Sequence, residues 1–108
     1  MDDYKKEIER ATQARNEGNE GMARVCARRA AGIVIGEYLH RRGYFDINKN
    51  TFDRLTIFCQ LPYVDQSCKD ISQHFLIKVN QEHNLPMNID LIREVIWLKD
   101  KLLSESID

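Results

Sequence analysis

The sequence predicts an all-α fold, a single antiparallel bundle of about five helices around a four-helix up-and-down core. Three observations lead there. Apolar residues recur at three- and four-residue spacing along most of the chain, and the strongest such period runs from Met22 to Arg42. The two short runs that could be strands, Ile33-Val34-Ile35 and Phe75-Leu76-Ile77-Lys78-Val79, sit inside longer helical periods with no two-residue hairpin turn nearby. The 108 residues suffice for one compact domain and are too few for two, so the expected radius of gyration is roughly 13 Å.

The first helix is expected over Asp2 to Glu17, with Tyr4, Ile8, Ala11 and Arg15 as a thin stripe and acidic residues in the first turn. Gly18-Asn19-Glu20-Gly21 breaks it. The second helix, Met22 to about Arg42, is rich in alanine and carries the pairs Glu20/Arg24 and Glu37/Arg41 at i, i+4. Its apolar residues lie almost all the way round: Met22, Val25, Cys26 and Ile33 on one side, Ala27, Val34, Ile35, Tyr38 and Leu39 on the other. Such a helix is buried, either through the middle of the domain or between it and a partner.

Gly43 ends that helix, and residues 44–50 form a loop. Thr51 or Asn50 caps a third helix with Phe52, Leu55, Phe58 and Cys59 on one face, closed by Leu61-Pro62. A fourth helix is expected from Tyr63 or Val64 to Val79, on the stripe Val64, Cys68, Ile71, Phe75 and Val79. After a polar loop at residues 81–87, Asn88 caps the fifth helix, with Asp90 in its first turn and Ile92, Val95, Ile96, Lys99 and Leu103 along one side. Residues 104–108 are expected to fray.

Sixteen Lys+Arg against 17 Asp+Glu give a net charge of −1, which excludes a strongly basic nucleic-acid binder. The charged N-terminus has no signal-peptide core behind it, and no apolar tract approaches the ~20 residues of a membrane span. Cys26, Cys59 and Cys68 are odd in number and form no C-x-x-C pair, so they read as buried free thiols of a cytoplasmic protein. Asp70 and His74 are i, i+4 but lack a third ligand, and no nucleophile, phosphate-loop or metal motif occurs. No cofactor, metal or catalytic residue is indicated. Trp97 reads as a core or interface anchor.

Two features of the second helix are candidates for function. Gly32 and Gly36 each cost about 1 kcal/mol against alanine in a helix interior, so something must offset them. The usual way is close approach of a second backbone, from a neighbouring helix or across a dimer interface; in the latter case Gly36→Leu would weaken the dimer. Arg29, Gly36 and His40 lie within about 20° of one line down the helix. With Arg28 beside them they are candidate anion contacts, while the bland alternative is a solvated strip with Arg29 satisfied by an acid of the first helix. Residues 21–50 carry six Lys/Arg and two Asp/Glu, a patch that either meets phosphates or pairs with the acidic flanks.

The run Ala23-Arg24-Val25-Cys26-Ala27-Arg28-Arg29-Ala30-Ala31-Gly32, continued by Glu37-Tyr38-Leu39 and Gly43, resembles the Ala-rich central helix of HEPN-like bundles. The order of elements around it resembles them too, and the likeness is specific between Gly18 and Gly43. The resemblance implies a small helical bundle, commonly a homodimer; some such proteins are ribonucleases and others pair with nucleotidyltransferases. The nuclease motif of that family, an arginine and a histidine separated by four to six residues, is missing. Positions 33 to 35 before His40 are Ile33, Val34 and Ile35, while His74 and His83 have Lys69 and Lys78 instead. Lysine lacks the planar bidentate fork of arginine. The expected function is a non-catalytic helical interaction module that self-associates, with a HEPN-like nucleotide- or RNA-binding protein, or a toxin–antitoxin component, as the alternative.

Overall fold

A computed structural model describes residues 3–43, 51–62, 64–75 and 89–103. They form five helices: α1 (Asp3–Asn16), α2 (Glu20–Arg41), α3 (Thr51–Cys59), α4 (Gln66–His74) and α5 (Leu91–Leu103). Among the described residues there is no strand: Ile33-Val34-Ile35 is helical, and of the second competing β-run only Phe75 is described, just past the end of a helix. The radius of gyration is 13.5 Å. No described helix is long and apolar enough to cross a membrane.

Local chemistry sets the boundaries. At the end of α1 the Asn19 amide donates to the Ala14 carbonyl (2.8 Å) and the Gly18 amide to that of Arg15 (3.0 Å), while Gly18 sits at φ 82°. This is the six-to-one, five-to-two closure that a glycine in the left-handed region makes possible. Asn19 then caps the next helix, its Oδ1 accepting from the Met22 amide at 3.1 Å. The break is therefore tighter than Gly18–Gly21, and α2 begins at Glu20. It ends before Gly43, at φ 91°.

Two further boundaries differ from the expectation. α4 starts at Gln66 because Asp65 is extended (φ −57°, ψ 143°), and its C-cap is Phe75. Val64 is buried from the preceding turn without being helical. At α5, Asp90 does the capping: its Oδ1 accepts from the Ile92 and Arg93 amides at 3.1 and 3.3 Å. The expected cap Asn88, the loops 44–50 and 81–87, His83, Val79 and residues 104–108 lie outside the described residues.

Around α2 the other helices assemble one core. Ala11 and Ala14 of α1 meet Ala23, Ala27 and Ala30 of α2 in that core, all but Ala14 at zero exposure. Small side chains on both helices let the two backbones run close together. Leu55 and Phe58 come from α3, Cys68 from α4, and Leu91, Val95 and Leu98 from α5. The ends of the helices give their directions. Arg15 joins Glu20 and Asp90 at one end, and Arg41 donates to the Leu103 carbonyl (3.0 Å) at the other. Hence α5 runs with α2, and α1 runs against both. Asp65–Lys101 (3.9 Å) and His74–Glu94 (2.8 Å) set α4 against α5. Taken in chain order, α1, α2, α4 and α5 alternate up and down, with α3 inserted between the middle pair.

Candidate interaction surface on the central helix

Burial is not uniform around α2. Ten of its residues are buried, including Ala27, Ala31, Val34, Ile35 and Leu39. The side away from the core is open: Met22 is 45% exposed and Val25 39%, Ile33 is half-buried, and Arg29 and His40 are exposed. At 100° per residue all five fall within about 80° of arc. The expectation of a helix covered all round therefore holds for the alanine, valine and leucine sides and fails along this stripe.

The sequence-predicted site residues occupy different surroundings. Arg28 turns toward α4, its Nε donating to the Phe75 carbonyl at 3.3 Å. Burial there, with Arg24 nearby, pulls its pKa below the usual arginine value. Arg29 faces α1, with Nη1 4.0 Å from Glu7 Oε1, as the pairing alternative expects. His40 lies eleven residues further along, about 16 Å of helix rise. The structure does not bring Arg28, Arg29 and His40 together on one ligand.

At Gly36 the close neighbour comes from a helix of the same bundle, and it is a side chain where a backbone is expected. Arg54 of α3 lays its guanidinium there, Nη1 donating to the Gly32 carbonyl at 3.2 Å. A Cβ added at Gly36 would stand 2.9 Å from Arg54 Nη1 and 3.1 Å from its Cζ. Its Nε is buried without a hydrogen bond. The missing side chain thus makes room for a flat cation from a neighbouring helix, a role that the glycine spacing alone does not reveal. Gly36→Ala should shift stability by less than about 1 kcal/mol, because the helix-propensity gain of about 1 kcal/mol offsets the displaced Arg54 contact. In an Arg54→Ala background the same alanine should give the whole gain, which urea denaturation of the four variants would measure.

The remaining chemistry is structural. Cys26 and Cys68 are buried and Cys59 half-buried, all free. Burial raises the Cys26 pKa, assisted by the Glu7 charge, and burial likewise raises that of Cys59, so both stay protonated at neutral pH. His74 Nδ1 meets Glu94, whereas Asp70 takes the Gln66 amide at 2.9 Å. Among the described residues no three His, Cys, Asp or Glu side chains gather as a metal site. A cavity of about 160 Å³ lies between Tyr38, Arg42, Asp65, Cys68 and Lys101. That is well under the ~300 Å³ at which ligand pockets begin, and its rim charges include both signs. Arg42 stacks over Tyr38 at 5.0 Å from the ring centroid. Trp97 is 39% exposed beside Ile96 on α5, so it is not a core residue. The described residues thus carry two exposed apolar pairs, Met22 and Val25 on α2 and Ile96 and Trp97 on α5. Comparison with protein-family models, curated proteins and solved structures returns no match.

Proposed function

We propose that this protein is a non-catalytic helical interaction module that self-associates through the outer stripe of α2. The observation that carries this reading is the exposure of Met22 and Val25 on a helix whose other sides are core. Apolar residues scattered singly over a surface are ordinary, but a stripe on the longest helix, continued by Ile33, is a surface that gains from being covered. The HEPN-like pattern of residues 18–43 supports the same reading, since such bundles are commonly dimeric. Three free cysteines suit a reducing compartment such as the cytoplasm.

Sedimentation over the micromolar range tests it. The wild type should show a concentration-dependent rise toward twice the mass of 12.7 kDa. Val25→Lys should weaken that association by about tenfold or more while leaving the melting temperature within a few degrees, because Val25 is outside the core. A wild type that stays monomeric throughout would overturn the reading. Salt-dependent RNA binding by such a monomer would favour the HEPN-like nucleic-acid alternative, because phosphate contacts release counterions.

A further inference from the structure

Resting on that self-association, we infer its geometry: two copies pack α2 against α2 about a two-fold axis at Ile33, with Arg29 of each copy facing Glu37 of the other. The residues Val25, Arg29, Ile33, Glu37 and Arg41 follow one another at four-residue intervals, so they form one ridge on the helix surface. Every member faces solvent at least in part: Val25 at 39%, the Arg29 side chain at 56%, Glu37 at 43%, Arg41 at 41%, and Ile33 half-buried. Neighbouring helices reach the row at two of its members: Arg29 stands 4.0 Å from Glu7 of α1, and Arg41 donates to the Leu103 carbonyl of α5 at 3.0 Å.

The ridge is complementary to its own reverse. A two-fold axis pairs each position with the one equally far on the other side of the centre. Centred on Ile33, it sets Ile33 against itself, Arg29 against Glu37, and Val25 against the methylene stem of Arg41. Moving the axis one step along the ridge destroys the match: centred on Arg29, arginine opposes arginine and Val25 opposes Ile33 alone. A crossing of about 50° sets the four-residue rows of two helices parallel, which brings the row of one α2 alongside the row of the other. In the isolated chain Glu37 spends its charge on Arg41 at 3.2 Å and Arg29 stands 4.0 Å from Glu7. Arg29 and Glu37 are the exposed ends of these pairings, and each can also meet a second copy while Glu7 stays largely buried. A single helix crossing covers less than the ~800 Å² per partner of a standard interface, which places it among weak, transient associations.

Charge reversal tests this arrangement separately from self-association itself. Glu37→Arg and Arg29→Glu should each weaken dimerisation by about tenfold, since each places like charges opposite one another twice per dimer. The double variant should return to within about threefold of wild type. Within one chain positions 29 and 37 are about 12 Å apart along the helix and do not pair, so such rescue reports a contact between copies. Melting temperatures of the variants, read in parallel, separate lost folding from lost contact. As a second measurement, Ile33→Cys under mild oxidation should give a disulfide-linked dimer, whereas Thr12→Cys on the exposed side of α1 should not. A wild type that never dimerises sinks the self-association reading and this geometry with it. A wild type that dimerises, with single reversals lacking effect or a double reversal no better than either, overturns the geometry alone.

Discussion

Replacing Phe58 by alanine is expected to cost the fold about 3–5 kcal/mol, a large share of the roughly 5–15 kcal/mol that holds a domain of this size together. Phe58 is fully buried, and its ring meets Tyr38 of α2 edge to face, with centroids 5.5 Å apart and planes at 81°. That contact contributes beyond the area it buries. It also has a structural consequence that a generic core deletion lacks. α3 has nine residues, too few to persist as a helix without tertiary support. Among its described side chains Leu55 and Phe58 are fully buried, and Arg54 donates to the Gly32 carbonyl of α2. Losing Phe58 therefore loosens the whole element. Ile57→Ala on the half-buried side should cost only about 1 kcal/mol. Urea denaturation followed by far-ultraviolet circular dichroism measures both. A loss below 1 kcal/mol for Phe58→Ala would mean that α3 is not part of the cooperative core.

The bundle was legible in the sequence because its strongest signals were long and local. Twenty-two residues of α2 hold an unbroken helical pattern, and Gly18 and Gly43 mark its two neighbouring turns with the one residue that accepts a positive φ cheaply. Capping was less legible, because Asn88, Asp90, Asp65 and Asn19 are all residues that favour a helix start. Choosing among them needs the chain direction on either side: Asp90 wins at α5, where its carboxylate also reaches Arg15. The α4 boundary was overextended for a related reason. Val64 and Phe75 keep the helical period, yet they are buried from the turns that flank a nine-residue helix.

The candidate surface was half legible. Periodicity placed Met22, Val25 and Ile33 on one side of the central helix and foresaw either a core or a partner for it; only the packing of α1, α3, α4 and α5 decides which sides are covered. Arg54 was invisible as the neighbour of Gly36, since 18 residues of sequence separate them and nothing in their spacing links the two. The ridge from Val25 to Arg41 became meaningful once each of its members was found at the surface.

Arg15 shows how a residue that looks misplaced on a thin apolar stripe can join three helices. Its guanidinium donates to Glu20 at the start of α2 (2.7 and 3.1 Å) and to both oxygens of Asp90 before α5 (3.0 and 3.1 Å). Asp90→Ala removes that contact and the cap on Ile92 and Arg93 together. The cap is worth about 1 kcal/mol and the partly exposed ion pair less than that, so the expected loss is about 1.5 kcal/mol. Asp90→Asn keeps a capping oxygen and should lose only about half as much. The same cluster predicts an acid limb. Hydrogen bonding from Arg15 holds Glu20 below its ordinary value of 4.5. Burial pushes Asp90 upward, but the Arg15 bonds and the amides of Arg93 and Ile92 outweigh it and leave its pKa below 3.8. Both carboxylates bind protons more weakly folded than unfolded, so their stabilisation is complete above about pH 5 and is lost as pH falls through their depressed folded values. Arg15→Ala should therefore be less stable than wild type by about 1–2 kcal/mol at pH 7, and that gap should close as the pH drops below 4. Urea midpoints of the two proteins between pH 7 and pH 3 measure the gap directly. A gap that stays constant down to pH 3 would mean that Arg15 contributes by packing its methylene stem and not by pairing with Glu20 and Asp90.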